Sequence, residues 1–209
     1  STTGNYGAAV YNNGTAVMTN TYIVRNYARW GSVTNDKNMT LINCTFEGNH
    51  LTNMTVGHNG GAIDCRGENL TIDYVDFTNN GAYTGGAVYM ASDSKNIRIF
   101  DSNFTSNYAM GDGGALGLKA ESLTINNTIF KSNTAVRHGG ALYAGGNGTN
   151  NTIRYTTFED NRAGDHGGAI DWFQSDGAEI NNCTFERNHA DSDGGAIYCG
   201  DVGGGGVNF

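Results

Sequence analysis

Immediately ahead of six recurring glycine pairs stand Asn59, Thr84, Asp112, His138, His166 and Asp193, with Arg137, Asp165 and Asp191 beside them. If the segments that carry them stack at strand spacing, Asp112, His138, His166 and Asp193 form a row at intervals of about 5 Å. Imidazole and carboxylate groups in such a row can hold a divalent cation or contact an acidic or sugar ligand. The plainer alternative is a solvated loop edge. A second column lies two residues past the alanine that follows each glycine pair: Asp64, Tyr89, Gly117, Tyr143, Asp171 and Tyr198. Strand alternation turns this column outward. Tyrosine presents a flat apolar face with a polar tip, so Tyr89, Tyr143, Tyr198, Asp64 and Asp171 are the candidate ligand-binding set, with packing beneath a loop as the alternative.

Four cysteines fall into two further columns. Cys44 and Cys183 each lie two residues before a recurring phenylalanine, and Cys65 and Cys199 each lie three past a motif alanine. Both columns are filled together in the same two repeats, so the expectation is two disulfides, Cys44–Cys65 and Cys183–Cys199, in an oxidising exterior; free core thiols are the alternative. No C-x-x-C spacing marks a structural zinc site. A polysaccharide lyase or glycoside hydrolase needs paired carboxylates, or Ca²⁺ with a basic residue, in one groove. Asp64 and Asp171 are four repeats apart, about 19 Å. Asp165, His166 and Asp171 could cluster, but nothing marks a base or nucleophile, and no catalytic residue is assigned.

The elements that must position these residues announce themselves by repetition. F-x-x-N recurs at Phe46/Asn49, Phe77/Asn80, Phe104/Asn107, Phe130/Asn133, Phe158/Asn161 and Phe185/Asn188. G-G-A-[ILV] alternates with it, from Gly60, Gly85, Gly113, Gly139, Gly167 and Gly194, and degenerate copies occupy the first 33 residues. Successive phenylalanines are 31, 27, 26, 28 and 27 residues apart, and Leu41, Ile72, Ile99, Ile125, Ile153 or Ile180 precedes each by five. Aliphatic runs this short, separated by Asn, Asp and Gly, suit strands of three to five residues; a helix needs ten or more periodic residues. Three short strands in a coil of about 27 residues predict an all-β, right-handed single-stranded parallel β-helix (a solenoid) of about eight rungs. A single coil cannot bury its own inner face, so stacking creates the core. Phenylalanine and aliphatic columns should stack inside, the Asn column should form an amide ladder at a corner that uses left-handed backbone, and the glycines should open tight turns.

Composition narrows the function. Net charge is −8, with 12 Lys and Arg against 20 Asp and Glu, which argues against nucleic acid as a partner. The 32 glycines come without a single proline, as tight turns in a regular array require and as a flexible linker does not. No apolar stretch approaches the roughly 18 to 20 residues of a membrane helix. Both ends read as cut from a longer chain, giving one β-helix domain over residues 1–209 with open ends through which copies could self-associate. Ten N-x-[ST] sequons, among them Asn13, Asn38, Asn53, Asn69, Asn103 and Asn147, are compatible with an exported glycoprotein; Asn43 and Asn182, inside the repeat, read as turn residues.

The pairing of G-G-A-[ILV] with F-x-x-N resembles the repeat of chlamydial polymorphic outer-membrane proteins, and the Asn/Thr-rich array is similar to adhesin-like surface proteins of methanogenic archaea. The resemblance implies an extracellular, cell-surface passenger or stalk in adhesion, not an enzyme, and carries over no catalytic residue. The expected function is therefore attachment to a glycan or protein on a host or neighbouring cell, or a structural surface array, with no cofactor beyond a divalent cation. A polysaccharide-active β-helix enzyme is the alternative. Ice binding would need an unbroken threonine ladder, and the column before each Phe (Thr45, Asp76, Asn103, Ile129, Thr157, Thr184) is broken.

Overall fold

In the computed structural model, which describes residues 7–146, 148, 151–173, 178–200 and 207–208, the chain winds as a parallel β-helix with no α-helix among the described residues. One coil shows the plan. The strand Asn69–Asp73 turns into Asp76–Thr78, then Gly81–Ala82, then Val88–Met90, before Asn96–Phe100 opens the next coil. Equivalent strands pair in parallel from coil to coil and build four sheets, two of eight strands and two of seven. We refer to them by content as the aliphatic, phenylalanine, alanine and glycine sheets. A coil thus has four strands where the aliphatic runs predict three. The extra one, such as Gly81–Ala82, is two residues long and too short to leave a periodicity.

The core follows from the register. Phe46, Phe77, Phe104, Phe130, Phe158 and Phe185 pair in one file. Their rings stack nearly parallel at 4.6 to 4.9 Å between centroids. Leu41, Ile72, Ile99, Ile125, Ile153 and Ile180 form a second buried file on the aliphatic sheet. With these rings and branched chains at 0% exposure from Phe46 to Phe158, the lumen is solid.

The Asn column forms the expected amide ladder. In the middle of it, Asn107 Nδ2 donates to Asn133 Oδ1 and to the Phe77 carbonyl, each at 3.0 Å. Asn107 Oδ1 accepts the backbone N–H and Nδ2–H of Asn80, also at 3.0 Å. All four hydrogen-bonding positions of a buried amide are therefore filled, as burial demands. The left-handed backbone lies one residue earlier than expected, on Arg25, Gly48, Asn79, Ser106, Ser132, Asp160 and Arg187, with φ of 53° to 63°. That turn aims the following Asn inward. In the glycine motif both residues are needed, for separate reasons. Gly113 has φ +66°, whereas a Cβ on Gly114 would overlap the Gly140 carbonyl of the next coil.

The cysteines are free, which corrects the expected Cys44–Cys65 and Cys183–Cys199 disulfides. Cys44 and Cys183 sit at the corner between the aliphatic and phenylalanine sheets, in the file of Ser102, Thr128 and Thr156. Like those hydroxyls they turn back on the carbonyl two residues before, Ile42 and Asn181 respectively, at 3.3 Å. Cys65 lies at the far corner, where its sulfur accepts from Asn35 Nδ2 at 3.4 Å. A whole aliphatic strand of four or five residues separates the two corners, roughly 10 to 13 Å, and a disulfide needs Cα atoms within about 7 Å. Co-occurrence of the two columns therefore does not mark bonding. Protein isolated without reductant and then denatured should therefore alkylate at four thiols. In the native state Cys199, the exposed one, should react first, and buried Cys44 and Cys65 should be protected. A mass short by the hydrogens of a disulfide would contradict the assignment.

Candidate functional site

Parts of the two polar columns lie against each other on one face. The loop leading into each glycine pair folds over the outward face of the glycine sheet, so the row from Asp112 to Asp193 lies above the file Asp64, Tyr89, Gly117, Tyr143, Asp171 and Tyr198. That file is outward by alternation but not exposed along its length: Asp64 and Asp171 are buried, at 3% and 2%. Backbone fixes the row above it. Gly113, Gly139 and Gly167 donate their N–H to the carbonyls of His138, His166 and Asp193 of the following coil, at 2.8 to 3.0 Å. Each polar residue is thereby held at strand spacing on an otherwise irregular loop.

In the C-terminal half the row becomes an imidazole stack. The His138 and His166 rings lie 5.4 Å apart and 17° from parallel, and His166 stacks on Tyr198 at 4.4 Å. His138 Nδ1 is 3.4 Å from Asp171 Oδ2 and 3.8 Å from Asp165 Oδ2; His166 Nε2 is 3.3 Å from Asp165 Oδ1, and its Nδ1 is 3.6 Å from Asp193 Oδ2. Burial pushes the Asp171 carboxyl up to about 7, with the negative charges of Asp112 and Asp165 adding to it. Burial likewise lowers His138 and raises Asp112, partly offset for Asp112 by Arg137 and His138. The structure therefore joins His138, His166 and Asp171, drawn from both columns, with Asp165 at their centre and Asp193 behind His166. Asp112 does not join them; it faces Arg137 Nε at 3.7 Å.

In the middle of the chain the same face opens into a groove of about 380 Å³, lined by Tyr89, Tyr143, Asp112, Lys119, Arg137 and Val56 among others. Tyr89 and Tyr143 flank Gly117 in register, so the two tyrosines stand two rungs apart, about 10 Å. A side chain on Gly117 would run into Thr84 and Tyr89. One wall comes from the loop carrying Val56 and Gly57. Sequence reasoning missed these two, yet a signal was present: Phe46 and Phe77 are the most widely spaced pair, and Asn49 stands eleven residues before Gly60. Extra length in an otherwise even repeat marks an added loop.

The remaining candidates lie elsewhere. Asp64 is taken up by Arg66, whose Nε donates to Oδ2 at 3.0 Å while its guanidinium covers the Trp30 ring at 5.3 Å. Among the sequons, Asn43 and Asn182 are corner residues with φ of 50° and 53°. Asn69 donates to Asn38 at 2.7 Å, and Asn103 to Asp76 at 2.8 Å. Asn147 lies outside the described residues.

Fold and face together define a β-helix repeat module with a filled lumen and a lateral polar cleft. Three segments, residues 127–145, 155–171 and 182–200, match the Chlamydia polymorphic membrane protein repeat. Each match runs from the corner before a phenylalanine, through the Asn ladder, into the glycine strand, so these coils carry repeats of that kind. No curated protein and no solved structure matched the chain.

Proposed function

We propose that the chain is a cell-surface adhesin module that holds a glycan in the lateral groove between Tyr89 and Tyr143. The observation that carries this reading is the groove with Tyr89 and Tyr143 in its wall. Two tyrosines about 10 Å apart suit an extended sugar laid along the groove, and the filled lumen cannot hold one. Tyrosine faces suit the apolar face of a sugar ring. Lys119 and Arg137 on the rim favour a saccharide bearing carboxylate or sulfate groups. The match to a repeat of membrane proteins supports display on a cell surface. Single-site affinity in so open a groove is weak, and attachment then depends on many copies on one surface. Asp171, the side chain best tuned for acid–base work, is 2% exposed beneath two imidazoles, where no glycosidic oxygen can reach it.

Glycan-array binding tests the proposal. Tyr89→Ala together with Tyr143→Ala should reduce binding to the best acidic glycan at least tenfold while the β-sheet circular dichroism is retained, and Tyr22→Ala, an exposed tyrosine on the phenylalanine sheet, should not. Equal binding by the double variant would remove the groove from consideration. Reproducible cleavage of a bound glycan would replace the adhesin reading with an enzymatic one.

A further inference from the structure

We infer that His138, Asp165 and His166, with Asp171 beneath them, form a binding site for a divalent transition-metal ion of the zinc class. One ring nitrogen from each histidine and one carboxylate oxygen of Asp165 lie within 4.8 Å of one another, and Asp171 Oδ2 is 3.4 Å from His138 Nδ1. The individual separations discriminate between two explanations. At 3.3, 3.4 and 3.8 Å they exceed ordinary hydrogen bonds, which close at about 2.7 to 3.2 Å. A tetrahedral zinc ion with bonds of about 2.1 Å holds its ligand atoms on edges of about 3.4 Å. Two of these separations match that edge, and the full set of atoms is close enough to surround one ion.

A second observation points the same way. Asp171 is 2% exposed, and its Oδ1 and the Nδ1 of His138 beside it are buried without a hydrogen-bond partner among the described residues. Orphaned buried polar atoms are costly, and two on adjoining side chains of one cluster call for a common partner. An ion bound to His138, His166 and the two carboxylates supplies it and also offsets the clustered negative charge. Asp193 Oδ2, 3.6 Å from His166 Nδ1, occupies the place of the outer carboxylate that orients a metal-bound imidazole. Rigidity comes from the backbone. The His138 and His166 carbonyls are tied to Gly113 and Gly139 at 2.8 and 2.9 Å, so the imidazoles are presented by the sheet ladder. Two nitrogens with two carboxylates select Zn²⁺, Ni²⁺ or Cu²⁺ over Ca²⁺ and Mg²⁺, which take oxygen ligands.

The test uses the tag-free chain stripped with chelator and then titrated with ZnCl₂, read by calorimetry and thermal melting, so it is independent of any glycan. One zinc per chain at micromolar affinity or tighter is expected, with a rise in Tm. Ca²⁺ and Mg²⁺ should cause no such rise. Asp165→Asn, at a half-exposed side chain that folding does not require, should weaken zinc binding at least tenfold, and His138→Ala with His166→Ala should abolish it. His189→Ala, which alters the separate exposed His189–Asp191 pair, should leave the affinity unchanged. The proposal fails if wild-type chain shows no zinc-dependent change in heat or Tm. It fails equally if Asp165→Asn, folded by circular dichroism, binds zinc as wild type does, or if His189→Ala removes the binding.

Discussion

Phe104→Ala is expected to destabilise the protein by about 3 to 5 kcal/mol, the cost of a buried aromatic truncated in a site that cannot collapse. Collapse is barred by the neighbours. Phe77 and Phe130 stack on Phe104 at 4.6 and 4.8 Å, and their separation is set by main-chain ladders, not by the rings. Closing the gap would mean breaking the ladder hydrogen bonds of all four sheets at once. Phe185→Ala should cost less, since that ring is already partly exposed. Urea denaturation of the three proteins checks the order, and a loss under about 1 kcal/mol at Phe104 would be incompatible with a solid lumen.

Asn107→Leu should cost nearly as much although it preserves volume. The substitution removes the acceptor of the Asn80 backbone N–H and of one Asn80 Nδ2–H, and the Nδ2 donor to the Phe77 carbonyl. Each orphaned buried group costs about 1 to 3 kcal/mol, so a total of about 4 kcal/mol is expected with partial relaxation. Hydrogen exchange should show the loss directly, as faster exchange at Asn80 N–H and in the flanking strands. Asn103→Ala, at an exposed amide bonded to Asp76, is the matched control and should change stability by less than about 0.5 kcal/mol. Similar losses at Asn103 and Asn107 would mean that burial of the ladder is not what matters.

The scaffold was legible because identical residues recur in identical surroundings. Phe104 predicts Phe130 once the interval is known, and Asn107 predicts Asn133, so register, inner files and amide ladder could be read from spacing. Two kinds of feature could not. Strands of two residues, such as Tyr108–Ala109, hold one pair of side chains and display no alternation. Cross-sectional distance was also hidden. Cys44 and Cys65 share a coil and face inward, yet they occupy different corners, and a column alignment reports the axis of the helix without its width. The site was half legible for the same reason. The row and the file were each visible along the axis, as His138 above Gly139 and Asp171 below Trp172 in sequence attest. That one folds down on the other, bringing His138 Nδ1 to 3.4 Å from Asp171, depends on the path of a loop. The Val56 wall of the groove belongs to the long stretch between Asn49 and Gly60, whose spacing shows extra length but not which face the loop covers.

The two intervals that never vary and the two that do separate inheritance from innovation. Three residues always link a core phenylalanine to its ladder Asn, and five always link the aliphatic file to that phenylalanine, whereas the corners on either side of the glycine strand differ in length from coil to coil. A one-residue insertion within the first pair would throw an amide or a ring out of its file and be purged by selection. An insertion at the other corners, such as the stretch around Val56, alters only the cleft. Whole coils can be duplicated without re-solving the core, and new surface can be added only along one flank. Such a lineage should therefore diversify what it recognises, or what an immune system sees of it, on a single side of a cylinder whose interior stays the same.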